Sequence, residues 1–347
     1  MIRRALLVTG ALVLPFASFG IVAQRCAARL LRAPRVGDDE SVLGPRLDAL
    51  GGEVVRLRSR DGLRLSGRWL PADPPTDGAW VPAADEAILL LHGYSGSVAP
   101  DLVEYGPVLR ATAAVLGLDF RGHGGSEDGP TTFGVLELED VAGALAWLGE
   151  RGIERVALVG TSMGGMTALA AVAVLGDGSL AGADAEPDAP RGVVAHRPRI
   201  IAVVGDSVSP EIPLVIANRI SGPFRGFVAD RLLAAASRHV GLDLRATEPI
   251  RIVSLVAPVP LLLIHGDADT TVPVGDGRRL AAAAGPGATH WIVEGAGHSG
   301  AHAARPADWE ARVGAFLRAA FADARNAAAI LVGPGRDGDL AVDREPG

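Results

Sequence analysis

A serine lies among glycines at residues 160–164, in the sequence Gly-Thr-Ser-Met-Gly. A serine hydroxyl becomes a useful nucleophile only when a neighbouring base takes its proton. The pattern therefore points to catalysis only if an acid and a histidine follow it in the chain. The alternative is an ordinary helix cap, because Thr161 and Ser162 are both common capping residues. The surrounding sequence helps to separate these two interpretations.

The motif joins a predicted strand to a predicted helix. Residues 155–160 (RVALVG) are apolar and rich in β-branched side chains, which is typical of a buried strand. Residues 163–175 (MGGMTALAAVAVL) have the composition of a buried helix that starts with small residues. A strand that enters a helix through Gly-x-Ser-x-Gly forms a strained turn with the hydroxyl exposed above the sheet. The glycines let the strand and helix approach closely. Ser162 is thus a candidate nucleophile.

Strands and helices alternate along most of the chain. Residues 53–71 alternate apolar and polar side chains around Asp61-Gly62, which predicts an antiparallel hairpin. Further predicted strands are residues 87–93, the segment that begins at 113, and residues 155–160, 199–207, 260–269 and 288–298. Predicted helices are residues 101–112, 135–150, 163–175 and 308–321. This order indicates an α/β fold with a doubly wound, mostly parallel sheet and an antiparallel start.

Functional residues of such sheets lie at the carboxyl ends of the strands. Four groups of residues fall there: His92-Gly93-Tyr94, Ser162, Asp269 and His298. An elbow serine needs an oxyanion loop before it and an acid and a histidine after it, and these positions are in that order. His298 follows Ser162 by 136 residues, so only the fold can bring the two side chains together.

Five segments in this order resemble the α/β-hydrolases over roughly residues 53–321. They are LHGYSG (91–96), DFRGHGGS (119–126), GTSMGG (160–165), HGDADTTVP (265–273) and GAGH (295–298). Within the superfamily the chain is most similar to bacterial serine esterases and prolyl-oligopeptidase-like hydrolases. The resemblance implies an α/β-hydrolase sheet and acyl transfer by a Ser-Asp-His triad without a cofactor.

The resemblance assigns Ser162 as the nucleophile, His298 as the base and Asp269 as the acid that orients His298. Asp267 is a rival two residues earlier, although in a tight turn it is expected to bond backbone amides. Asp206, after the preceding strand, is a remote alternative used in some relatives.

The resemblance also implies two backbone donors for the oxyanion. They are the N–H groups of Tyr94, after the first parallel strand, and of Met163, directly after the nucleophile. In relatives a lid grows in the segment that corresponds to residues 206–258. We therefore expect a small helical cap there, with apolar surface around Phe224 and Phe227. Plain core helices are the alternative.

The N-terminal segment, residues 1–35, has a separate character. No charged residue occurs between Arg4 and Arg25, a length close to the 20 or so residues that cross a bilayer as a helix. We expect residues 5–24 to be a single membrane anchor of unknown orientation, followed by a basic stretch at the headgroups. A cleaved signal peptide, which would give a secreted protein, and a buried helix are alternatives. The hydrolase domain is expected over residues 36–325 and a disordered tail over residues 326–347.

Composition narrows the possible functions. The net charge is −7 and no basic stripe with interleaved aromatic residues occurs, so a nucleic-acid partner is not expected. Cys26 is the only cysteine, which excludes an internal disulfide and a multi-cysteine metal site. No metal and no cofactor is expected. The predicted function is hydrolysis of a small or lipophilic carboxylic ester. The alternatives are a peptidase-type serine hydrolase and a non-catalytic binding protein on the same fold.

Overall fold

The computed structural model describes residues 24–33, 40–76, 78–94, 96–176 and 197–332. Eight strands form one sheet: β1 (Glu53–Arg58), β2 (Arg64–Leu70), β3 (Glu86–Leu91), β4 (Ala114–Asp119), β5 (Arg155–Thr161), β6 (Arg199–Asp206), β7 (Leu261–Gly266) and β8 (Ala288–Val293).

The spatial order of the strands is β1-β2-β4-β3-β5-β6-β7-β8. The first two form the predicted antiparallel hairpin, in which Leu57 lies opposite Leu65. Strand β2 also runs antiparallel to β4, and every later pairing is parallel. The chain crosses from β4 past β3 to reach β5, so the strand order reverses beside β3. Loops at the carboxyl ends of β3 and β5 therefore meet at a position where sheets of this kind hold ligands.

Helices pack on both faces of the sheet. They are α1 (residues 24–30), α2 (Glu40–Leu50), α3 (Ala99–Arg110), α4 (Glu137–Gly149), α5 (Met163–Leu175), α6 (Ile212–Asn218), α7 (Arg225–Val240), α8 (Pro249–Ile252), α9 (Val274–Ala284), α10 (Ala301–Ala304) and α11 (Pro306–Val332). A short 3₁₀ helix, Val253–Leu255, follows α8.

Strand β3 shows why both faces need a cover. All six of its residues are buried, and their side chains alternate between two hydrophobic clusters. Leu89 and Leu91 join the cluster formed with α4 and α5, whereas Ile88 and Leu90 join the one formed with α3 and α11. A continuous apolar run, instead of an alternating one, is what a strand covered on both faces requires.

The closing helix corrects one prediction. Helix α11 continues to Val332, so residues 326–332 are helical and were wrongly assigned to a disordered tail. Alanines at 327–329 are strong helix formers, and no glycine or proline occurs between Gly314 and Gly333. Residues 333–347 lie outside the described part of the chain. Helices α1, α2, α9 and α10 were not predicted at all.

The structure describes only part of the N-terminal segment for which a membrane anchor was predicted. The apolar run lies outside the described residues except for Gln24, and no described helix is both long and apolar enough to span a bilayer. Helix α1 follows it, and its Ala27 and the adjoining Leu31 are buried in the core. Packing of the hydrolase domain therefore extends to residues before 36, where the predicted domain began.

The segment predicted to form a cap contains helices α6, α7 and α8, inserted between β6 and β7. Helix α7 has features of both predicted alternatives, a helical cap and a core helix. Its Ala229 and Leu233 are buried in the main core, as plain core helices would be. Residues 221–227, which precede α7 and form its first turn, are exposed, as a projecting cap would be.

Candidate active site

Ser162 lies between the last residue of β5 and the first residue of α5. Its φ of 49° and ψ of −111° are strained for a residue with a side chain. The neighbouring glycines are required by sterics. A Cβ on Gly164 would lie 2.0 Å from the carbonyl oxygen of Leu91, and one on Gly160 would lie 2.4 Å from the carbonyl carbon of Gly164. The Gly-x-Ser-x-Gly pattern thus forms the predicted elbow.

The fold brings Ser162, His298 and Asp269 together at the carboxyl end of the sheet. His298 Nε2 lies 2.9 Å from Ser162 Oγ, and His298 Nδ1 lies 2.7 Å from Asp269 Oδ2. With Nδ1–H donating to the carboxylate, Nε2 carries a lone pair that can accept the serine proton. The side chain of His298 is 24% exposed, so solvent and small molecules can reach it.

Asp269 is held by three hydrogen bonds. Its Oδ1 accepts the backbone N–H groups of Thr271 and Val272, each at 2.8 Å, and its Oδ2 accepts Nδ1–H of His298. Burial alone would raise the pKa of Asp269. The hydrogen bonds from His298 and Val272 outweigh burial, so the pKa lies below its ordinary value. The carboxylate is therefore charged at neutral pH and can stabilise a protonated His298.

The rival acids have other roles. Asp267 Oδ1 accepts the backbone N–H of Gly295 at 2.7 Å, which is the backbone role expected for it. Asp206 Oδ1 accepts the hydroxyl of Ser207 at 2.9 Å, and its Oδ2 has no hydrogen-bond partner among the described residues. Burial raises the pKa of Asp206 to about 7, against the opposing effects of Ser207 and His298.

Ser207 and Ser299 form a support that the sequence did not suggest. The backbone N–H of Ser299, next to His298, donates to Ser207 Oγ at 2.8 Å. Ser207 and Ser299 have positive φ angles of 55° and 52°. Together with Ser162 and Phe133 they are the only non-glycine residues of the described chain with a positive φ angle. Three of these four strained residues therefore surround one site, as strain at functional sites commonly does.

The loop after β3 packs directly on the elbow. A Cβ on Gly93 would lie 3.5 Å from the Cβ of Ser162. Met163 is the first residue of α5, so its N–H is among those that lack an acceptor within the helix. The hydroxyl of Tyr94 donates to the carbonyl of Leu30 at 3.1 Å, which turns it towards α1. The Tyr94 ring stacks on Phe133, with centroids 5.5 Å apart.

An open cleft of about 230 Å³ lies above Ser162 and His298. Tyr94 and Arg219 line its rim, and the Arg219 Cζ lies 5.8 Å from the centre of the Tyr94 ring. Arg219 lies in the segment predicted to form a cap and lines the cleft, although the sequence analysis did not predict it as a site residue. The apolar surface expected around Phe224 and Phe227 does not line the cleft. Both side chains face solvent, at 73% and 56% exposure.

The other histidines near the sheet edge are structural. His92 Nδ1–H donates to the carbonyl of Gly93 at 2.7 Å, and its Nε2 accepts the N–H of Phe120 at 3.1 Å. Burial, with His123 nearby, lowers the pKa of His92 to about 3. His265 Nε2–H donates to the carbonyl of Val272 at 2.7 Å. Within the described residues no group of three His, Cys, Asp or Glu side chains is placed to hold a metal ion.

A model of the alpha/beta hydrolase family matches residues 88–313, more than half of the chain. The chain belongs to this family. An uncharacterized protein, YfhR, of Escherichia coli O157:H7 is 28% identical over 241 residues, which cover 68% of each chain. The uncharacterized protein Rv2307c of Mycobacterium tuberculosis is 29% identical over 252 residues, 72% of this chain and 73% of the relative.

Esterases occur among the similar solved structures. The esterase Pf2001 of Pyrococcus furiosus has a TM-score of 0.56 at 21% identity and covers 82% of this chain and 98% of its own. The esterase EaEST of Exiguobacterium antarcticum has a TM-score of 0.53 at 13% identity, with coverage of 77% and 100%. At these identities the likeness shows the fold. Together with the family match it identifies the chain as a hydrolase.

Proposed function

We propose that this hydrolase cleaves a carboxylic ester through an acyl-enzyme on Ser162. The observation that carries the proposal is the continuous hydrogen-bonded series from Asp269 through His298 to Ser162, at 2.7 Å and 2.9 Å. Each link has the donor and acceptor that the chemistry needs, and the serine is at the base of an open cleft.

The reaction would proceed in two steps, acylation of Ser162 and hydrolysis of the acyl-enzyme. Ser162 Oγ attacks the ester carbonyl while His298 Nε2 takes its proton, and Asp269 stabilises the resulting imidazolium. The tetrahedral oxyanion is held by the N–H groups of Met163 and Tyr94. The intermediate then collapses: the bond to the leaving alkoxide breaks, and His298 returns the proton to it. Water attacks the acyl-enzyme in the same manner, which releases the acid and regenerates the serine hydroxyl.

A panel of p-nitrophenyl esters of increasing acyl length tests this function. We expect turnover of at least the short esters, and no turnover above background by Ser162→Ala while its circular dichroism spectrum stays unchanged. Hydrolysis by Ser162→Ala near the wild-type rate would refute the mechanism. The chain length at which the rate is highest would identify the acyl class.

We also propose that residues 5–24 anchor the protein in a membrane. Their support is the uncharged run between Arg4 and Arg25, which has spanning length. Full-length protein should then sediment with membranes and resist extraction by high salt and by alkaline carbonate. Recovery of the intact chain in the soluble fraction would refute the anchor, and a new N-terminus within or just after this run would indicate a cleaved signal instead.

A further inference from the structure

Two phenylalanines lie exposed where the cap segment projects from the domain. Phe224 directly precedes α7, and Phe227 lies in the first turn of α7. The two residues are three positions apart, about one helical turn, so their side chains lie on the same side of the helix. They are the only exposed aromatic residues among the large apolar side chains of the described chain that face solvent. Every residue from 221 to 227 is exposed, so this turn protrudes without cover from the rest of the domain.

Arginines flank the two phenylalanines in the sequence. Arg219, Arg225 and Arg231 are exposed, and the Arg231 Cζ lies 5.0 Å from the centre of the Phe227 ring. The acid within this segment, Asp230, is paired with Arg245. The segment is thus locally cationic in a chain whose net charge is −7. Exposed aromatic rings flanked by arginines are the side chains that enter the interface of a bilayer with anionic headgroups.

Helix α1 reaches the same rim of the cleft. The carbonyl of Leu30 accepts the hydroxyl of Tyr94, and Arg219 lies over the ring of that tyrosine. Gln24 is six residues from Leu30, about 9 Å along a helix, so the chain leaves the described domain close to the cleft. Arg25 and Arg29 are exposed on this helix. The end of the domain that leads to the uncharged run therefore lies beside the cleft, and Arg219, which lines the same cleft, precedes Phe224 by five residues in the chain.

We infer that the surface formed by Phe224, Phe227, Arg219, Arg225 and Arg231 docks the cleft onto an anionic lipid bilayer. The phenylalanine rings enter the acyl boundary and the arginines contact lipid phosphates. An ester dissolved in the bilayer then passes into the cleft beside Arg219 without crossing bulk water. This inference rests on the membrane association proposed above, and it assigns the membrane-facing side of the molecule.

The test uses full-length protein with phosphatidylcholine vesicles, with and without phosphatidylglycerol. One variant carries Phe224→Ser and Phe227→Ser. The control carries Val174→Ser, because Val174 is 56% exposed but lies in the last turn of α5, about 18 Å along the helix from Ser162. Two substrates are compared: a short water-soluble ester and a long-chain ester dissolved in the vesicles.

The double variant should lose at least about tenfold in hydrolysis of the vesicle-borne ester, because burying one phenylalanine ring is worth at least that factor. Its hydrolysis of the soluble ester, and both activities of the Val174→Ser control, should equal the wild-type values. Phosphatidylglycerol should raise wild-type hydrolysis of the vesicle-borne ester, and added salt should reverse this gain. Wild-type vesicle activity in the double variant, or equal loss on both substrates, would overturn the docking surface.

A second readout does not depend on activity. Phe227→Cys in a Cys26→Ser background is labelled with an environment-sensitive fluorophore. Docking predicts a blue shift on addition of anionic vesicles and quenching by spin-labelled lipids. A blue shift that depends on protein concentration without lipid would show instead that a second copy covers the surface, and an unchanged spectrum would exclude docking. If the soluble ester is not hydrolysed, the proposed function fails, and the fluorescence still decides the docking surface.

Discussion

Replacement of Gly164 by alanine probes how closely the elbow must approach strand β3. A Cβ at this position would lie 2.0 Å from the carbonyl oxygen of Leu91 and 2.5 Å from its carbonyl carbon. The shorter distance is about 1 Å inside the 3.0 Å below which real Cβ atoms essentially never approach another atom. Both partners are backbone atoms, so a side-chain rotation cannot relieve the overlap. The start of α5 and the end of β3 must therefore move apart.

That displacement separates the nucleophile from the loop proposed to hold the oxyanion, because Leu91 leads directly into His92-Gly93-Tyr94. A misplacement of about 1 Å costs on the order of 10²-fold in rate. Overpacking of this kind also costs about 1–3 kcal/mol of stability. We expect Gly164→Ala to lower kcat on a short soluble ester by about two orders of magnitude. It should also lower the free energy of unfolding measured in urea.

Gly275→Ala is the matched control. Gly275 lies in α9 with a negative φ, and no atom lies within 4 Å of the position that its Cβ would occupy. Alanine has the higher helix propensity, so this variant should unfold at an equal or higher urea concentration and keep the wild-type kcat. If Gly164→Ala matched the wild type in both kcat and stability, the steric account of the elbow would be wrong.

Three further predictions follow from the buried charges and hydrogen bonds. Asp269→Asn should lower kcat by about 10⁴-fold, as loss of a histidine-orienting acid does, and Asp267→Asn should lower it far less; steady-state kinetics would reveal the reverse ranking if the acid were misassigned. Arg121→Met should cost about 3–5 kcal/mol in urea unfolding, because Arg121 Nη2 lies 2.7 Å from the fully buried carboxylate of Asp140, which would lose its ion-pair partner and keep the backbone N–H of residue 121. A loss below about 1 kcal/mol would contradict this. The pKa of His92 is lowered from 6.5 to about 3 in the folded protein. Below about pH 6.5 the unfolded state therefore binds a proton that the folded state does not bind, and the free energy of unfolding decreases as the pH decreases. Urea unfolding at several pH values should show that the wild type's excess free energy of unfolding over His92→Gln decreases between about pH 7 and about pH 5, by up to about 1.4 kcal/mol per pH unit. A constant difference would mean that His92 is not held neutral.

The sheet could be predicted because its signals are local. Strand β3 is a continuous apolar run, and the hairpin alternates around Asp61-Gly62, so both could be found without knowledge of the fold. Helix α9 was missed because glycine and arginine interrupt its apolar pattern over residues 275–279. The length of α11 was missed because its last turns are alanine-rich and carry no strong amphipathic signal.

The candidate site was predictable to different degrees. Ser162 could be found from the strand, turn and helix around it. The choice of Asp269 over Asp267 needed the family resemblance, since two acids two residues apart cannot be ranked by spacing. The contact between Ser207 and Ser299 joins residues 92 positions apart, so no local pattern encodes it. Arg219 was missed for a similar reason, because its position at the cleft depends on how α6 and α7 pack.

The proposed mechanism requires that His298 activates Ser162 as a nucleophile. Labelling of full-length protein with a fluorophosphonate probe, followed by mass spectrometry of the proteolytic peptides, measures this activation. We expect rapid, stoichiometric phosphonylation of the peptide that contains Ser162, strong slowing in His298→Ala, and no labelling in Ser162→Ala. Modification of a different residue, or labelling of Ser162 at the same rate with and without His298, would contradict it.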